Sequence, residues 1–145
     1  MIPSMRQVPS STMKFIISKK SSSHFSTIRR VDVSPRFSHA VVHEKLVYLT
    51  GQVPAKSTLN SDAATQTASI LKSIEDLLNR SGSDKSRILS ATCYFTNIER
   101  DFSQMNEEWV KWLPENCAPA RTSLAGIKLA DPAWKLEITV VAALK

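Results

Sequence analysis

Residues 136–144 alternate with period two. Leu136, Ile138, Val140, Ala142 and Leu144 fall on one side, and Glu137, Thr139, Val141 and Ala143 on the other. Successive side chains of a strand point to opposite faces, so this run is satisfied by a strand with one covered face and little else. A second extended run precedes it, Ala118-Pro119-Ala120-Arg121-Thr122-Ser123-Leu124, with Arg121, Ser123, Ala125 and Ile127 on one side. Between the two, Ala130-Asp131-Pro132-Ala133 reads as a turn, because Asp-Pro favours one and Pro cannot continue a ladder. Pairing the runs as a hairpin in even register puts Arg121, Ser123, Glu137 and Thr139 on one face; that register is assumed. A guanidinium fork grips a carboxylate with two hydrogen bonds, and a nearby Glu can hold and deprotonate water. The alternative is a cross-strand ion pair that contributes little.

The rest of the chain supplies a sheet and two helices to cover it. Residues 28–33 predict a short first strand, ended by Ser34-Pro35. Ala40-Val41-Val42-His43 and Leu46-Val47-Tyr48-Leu49-Thr50 predict a hairpin across Glu44-Lys45, rich in β-branched and aromatic residues. Gly51 directly after it either ends the strand or lets backbone approach a neighbour closely. Thr67, Ile70, Leu71, Ile74, Leu77 and Leu78 form a helical stripe, with Ser61 or Asn60 as cap and Gly82 as the left-handed stop. Residues 88–97 predict a strand with Leu89, Ala91, Cys93 and Phe95 inward. A second helix follows, capped by Asp101 with Gln104 in a capping box, burying Phe102, Met105, Trp109, Trp112 and Leu113. The expected fold is α+β, a mixed β-sheet with two helices on one face. The other face, assigned Thr92, Tyr94, Arg121, Ser123, Glu137 and Thr139, is expected to pack on copies of itself.

Charge and thiol usage narrow the function. The chain has 145 residues with 19 Lys and Arg against 13 Asp and Glu. Six of the basic residues precede Asp32, the first acid, so 13 cations meet 13 anions from Val31 onward. A nucleic-acid module carries its basic stripe on the fold itself, which argues against such a partner. No apolar run approaches the roughly 18 residues a membrane span needs. Residues 1–27 are basic, Ser-rich and acid-free, as in an organellar transit segment; a disordered tail or a misplaced start fits as well. Residues 28–145 form the expected domain. Cys93 and Cys117 make no framework, and three histidines make no metal site, so the expectation is an intracellular protein, cytoplasmic or organellar, without metal. Phosphate loops, the GxSxG elbow and HExxH are absent.

Four fragments in order carry a resemblance: Val47-Tyr48-Leu49-Thr50-Gly51-Gln52-Val53-Pro54, Asp101-Phe102 through Met105-Asn106, Ala118-Pro119-Ala120-Arg121-Thr122, and Leu136-Glu137-Ile138. Together they resemble the Rid (YjgF/YER/UK) family over residues 28–144. Pro35-Arg36-Phe37-Ser38, Gly82-Ser83-Asp84-Lys85-Ser86 and Trp109 to Trp112 are similar to its YoaB-like branch. The resemblance implies a chorismate-mutase-like (YjgF-like) fold and a homotrimer with three clefts between subunits. It also implies hydrolysis of reactive enamines and imines, of the 2-aminoacrylate type, to 2-oxo acids and ammonia, with no cofactor. By position, Arg121 binds the substrate carboxylate, Glu137 positions water, and Gly51, Asn106, Phe37 and Ser123 line the substrate pocket. Phe37 stands where many members have Tyr, and Ser123 where many have Cys; both alter pocket polarity and bear on substrate range. A trimeric module binding a small carboxylate without turnover is the alternative, and an endoribonuclease a third.

Overall fold

The computed structural model describes residues 27–145; the leader expected over 1–27 lies, apart from Thr27, outside the described residues. Eight elements follow in order: β1 (Arg29–Val33), β2 (Ser38–His43), β3 (Leu46–Leu49), α1 (Ala63–Ser81), β4 (Ile88–Phe95), α2 (Ile98–Trp112), β5 (Ala120–Ala125) and β6 (Leu136–Ala143). The strands form one six-stranded sheet in the order β1-β2-β3-β6-β4-β5. Neighbours are antiparallel except β4 and β5, which run parallel.

The core is built by parity. Leu136, Ile138, Val140 and Ala142 of β6 are buried, as are Ala40, Val42, Val47 and Leu49 of the predicted hairpin and Ala91, Cys93 and Phe95 of β4. Onto this face pack Ile70, Leu71, Ile74, Leu77 and Leu78 of α1 with Met105 and Trp109 of α2. Each such burial contributes about 1.5–3 kcal/mol against the entropy of ordering it. Gly82 ends α1 at φ 87°, the predicted left-handed stop.

Several local expectations are corrected. Asp62, not Ser61 or Asn60, caps α1, accepting from Thr65 N at 2.8 Å. Asn97 rather than Asp101 caps α2, accepting from Arg100 N at 3.0 Å, so this helix starts a turn early. Asp101 is buried in its first turn and takes two 2.7 Å bonds from Arg100, while Gln104 Oε1 accepts from Ala64 N of α1 at 3.1 Å. A register shift between Ile88 and Ser90 turns Leu89 outward, 50% exposed, and gives its expected core place to Ile88. Phe102, predicted buried, is 36% exposed.

The largest correction concerns the last two strands. They do not form a hairpin: β4 lies between them, β5 is an edge strand parallel to β4, and β6 runs antiparallel on β4's other side. The strand–α2–strand order is the reason, since a helix connecting two strands brings the second back parallel to the first. Residues 126–135 are then a long connection around the end of β4. Among the described residues, no helix is long and apolar enough to cross a membrane.

Candidate active site

Register fixes which residues share a face. Arg121 stands in one row with Ala91 and Val140, and Ser123 with Cys93 and Ile138. These are core neighbours, so both residues point to the helix side. Glu137 stands with Tyr94 and Leu124, and Thr139 with Thr92 and Thr122; these point away from the helices. Arg121 and Glu137 therefore lie on opposite faces, two strands apart and offset by three residues, roughly 10 Å along the strands. The expectation of one shared face is overturned. The candidate residues therefore form two separate groups.

The first is built on Arg121. Its Nη2 donates to Asn106 Oδ1 at 2.7 Å, and Nη1 approaches Met105 Sδ at 3.8 Å. The guanidinium carbon lies 5.3 Å from the Trp109 ring centroid and 5.9 Å from that of Phe102. Phe102, Asn106 and Trp109 follow the i, i+4, i+7 spacing of one helix face, so α2 presents two aromatic rings and an amide to the edge strand. The fork is held there with N–H groups to spare for a ligand carboxylate. Ser123 is half-buried farther along the same strand face. Burial pushes the Cys93 thiol up to about 11, against the opposing charge of Arg121; it stays protonated at neutral pH and is no nucleophile. Cys117, half-buried and a free thiol, sits in the connection from α2 to β5.

The second is built on Glu137. Gln52 N donates to Ile138 O at 2.8 Å and Ile138 N to Gln52 O at 3.0 Å, pinning Gly51 against β6. The Glu137 carboxylate then lies directly over Gly51: a Cβ there would overlap Oε1. Glycine is required here for space, which resolves the two readings of Gly51 in favour of close approach. Partial burial pushes the Glu137 carboxyl above the ordinary carboxylate range, as desolvation does. The carboxylate opens into a cavity of about 570 Å³, whose wall includes Phe37, Val53, Ala130, Trp134, Arg36 and His39. Phe37 is positioned by a tight turn in which Ser34 Oγ accepts from Phe37 N at 3.1 Å and donates to Phe37 O at 2.8 Å.

The six predicted residues thus separate into Glu137, Gly51 and Phe37 on one side and Arg121, Asn106 and Ser123 on the other. Sequence reasoning missed Trp134 and His39 beside Glu137, and assigned the faces of Phe102 and Trp109 to the core alone. The signal for the latter was their spacing around Asn106. No comparable signal marked Trp134, whose place depends on the path of residues 126–135. Among the described residues, no group of three or more His, Cys, Asp or Glu side chains is arranged to hold a metal.

A mixed sheet with two helices on one face, a carboxylate seated on glycine and a guanidinium on the edge strand define a small α+β protein of the YjgF type. The chain belongs to the Ribonuc_L-PSP family, described as endoribonuclease L-PSP, which matches residues 27–144. It is 41% identical over 119 residues to the RutC family protein YoaB of Escherichia coli, covering 81% of this chain and 99% of that one. A RutC family protein of Haemophilus ducreyi is also 41% identical, over 117 residues, covering 81% and 97%. The chloroplastic Reactive Intermediate Deaminase A of Arabidopsis thaliana is 30% identical over 112 residues, covering 74% of this chain and 58% of that one. The crystal structure of a YjgF-family protein from Neisseria meningitidis superposes with a TM-score of 0.77 at 35% identity, covering 82% and 96%.

Proposed function

We propose that this protein is a hydrolase that converts reactive imino acids and their enamines to 2-oxo acids and ammonia, at clefts completed between copies of the chain. The observation that carries this reading is the opposite-face placement of Arg121 and Glu137. A clamp for a carboxylate and a base for water, each left open on its own side, become one site only when two copies meet. The deaminase name borne by the Arabidopsis relative supports the reaction.

In the assembled cleft, Arg121 of one copy holds the carboxylate, with Asn106 and Ser123 beside it. Glu137 of the neighbour holds water against the imine carbon and takes its proton, and Gly51 leaves the carboxylate room. The raised carboxyl of Glu137 suits a base that must pick up and return a proton. The imine is already electrophilic, so positioning and proton transfer suffice. Three copies closing a ring is the assembly we propose, through the sheet face that bears Val41, Tyr48, Thr139, Val141 and Leu124. An intracellular setting, cytoplasmic or organellar, suits the two free thiols.

Mixing two inactive variants tests the reading. Arg121→Ala and Glu137→Ala are each expected to lose at least a hundredfold in imine decay. Unfolded and refolded together at equal amounts, they should regain about a quarter of wild-type activity, because one cleft in four draws its intact Arg and intact Glu from different copies. No recovery, with each variant assembled and the wild type active, would mean a site within one chain. An assembled wild type that does not accelerate decay would instead leave a module that binds small carboxylates. The family description names an endoribonuclease, but the balanced charge from Val31 onward gives RNA no basic stripe to track.

A further inference from the structure

Resting on that reading, the Glu137 cavity bears on which imino acids are taken. A 2-aminoacrylate molecule has six non-hydrogen atoms, and its side chain is one methylene. In the single chain the cavity measures about 570 Å³, more than a side chain of one methylene fills. The wall offers large apolar surfaces: the rings of Phe37 and Trp134 with Val53 and Ala130. Phe37 touches two residues of the same wall, and the backbone at Trp134 is held on both sides. The His39 ring meets Phe37 edge-on, with centroids 5.2 Å apart, and the Arg36 guanidinium carbon lies 6.0 Å from the Phe37 centroid. Trp134 N donates to Asp131 O at 3.1 Å, and buried Gln66 bonds Ala133 O at 3.0 Å and Lys135 N at 2.9 Å on either side of it. Two aromatic residues in the wall beside a carboxylate suit a flat or bulky apolar group.

We propose that the preferred substrates are imino acids with aromatic or large aliphatic side chains, which fill the space between Phe37 and Trp134, rather than the imine of alanine. The step is the same for all of them. Water oxygen bonds to the imine carbon, the carbon–nitrogen bond breaks, and both water protons leave on nitrogen as ammonia while the carbon becomes a carbonyl. Only the burial of the side chain differs. A pocket that accepts an added apolar group favours it by about tenfold or more, as hydrophobic pockets do for added methylenes.

The imines of alanine, leucine and phenylalanine are generated from the D-amino acids with D-amino-acid oxidase, and that of aspartate with D-aspartate oxidase. Their decay is followed by competition with semicarbazide, with and without the full chain. The expected order of kcat/KM is phenylalanine and leucine above alanine by about tenfold or more, with aspartate last. Trp134→Ala should shrink the phenylalanine-to-alanine ratio toward unity, and Trp134→Phe should keep it, which separates a lost wall from a lost fold. Equal or higher kcat/KM for alanine's imine would overturn the inference while leaving the hydrolase standing. So would aspartate ranking first, which would move selectivity to Arg36. Acceleration of none of the four would sink the underlying reading instead.

Discussion

At the scale of single residues, Gly51 is the most constrained position in the Glu137 half-site. Its backbone lies under a carboxylate whose Oε1 occupies the place of a Cβ. The obstructing atoms are the tip of a flexible side chain, so Gly51→Ala is expected to displace Glu137 rather than unfold the chain. Imine decay should fall at least tenfold while the thermal midpoint moves by only a few degrees, about what 1 kcal/mol does at this size. A melting curve beside the activity assay checks both halves; an active variant would mean that Glu137 acts from another position. Residue identity was legible here where contact was not. A glycine after a strand left two readings, a strand end or a close approach, and the Gln52–Ile138 bridge with Glu137 over Gly51 decides for the second.

At the scale of elements, the long connection from β5 to β6 is tied to α1 by Gln66, while Thr96 N and Oγ1 donate to Lys135 O at its end. Gln66 of α1 is fully buried, with Nε2 donating to Leu59 O and Ala133 O at 3.0 Å each and Oε1 accepting from Lys135 N at 2.9 Å. Gln66→Leu preserves the volume but strands two carbonyls and an N–H. It should destabilise by about 2–4 kcal/mol, seen as a lower urea midpoint with an unchanged slope; a loss below about 0.5 kcal/mol would show that water replaces the amide freely. The strands and helices themselves were legible, because alternation and the 3.6-residue stripe report directly which face is covered. What failed was pairing. Two adjacent alternating runs suggested a hairpin, but α2 between Phe95 and Ala120 favours a parallel crossover that pairs β5 with β4, and β6 pairs on β4's other side. Faces within a strand follow from its own sequence, whereas neighbours follow from connections, and that is why Arg121 and Glu137 were set on the same side.

At the scale of the whole molecule, the helices cover one sheet face and leave the other bare. Tyr48 and Leu124 on that face are 44% and 46% exposed, beside Val41, Val141 and a row of threonines. Such a face on a domain charge-balanced from Val31 onward calls for cover. Tyr48→Asp is expected to convert the assembled protein, about three times the mass of a chain by sedimentation, into folded monomers with at least a hundredfold less activity. A variant that keeps its assembly would move the interface elsewhere. The alternation of β6 made this second face visible in the sequence, but the number of copies rests on family likeness and not on the pattern.

On the proposed reading, with Arg121 facing one way and Glu137 the other, no copy owns a complete cleft. In a ring of three, a chain broken at either residue silences one cleft, and a chain broken at both silences two, one of which includes the sound Arg of a neighbour and the other a neighbour's sound Glu. In that proposed ring, damage in one chain is shared with its neighbours. How far a defect would spread through such a ring is set by the parity of two strands.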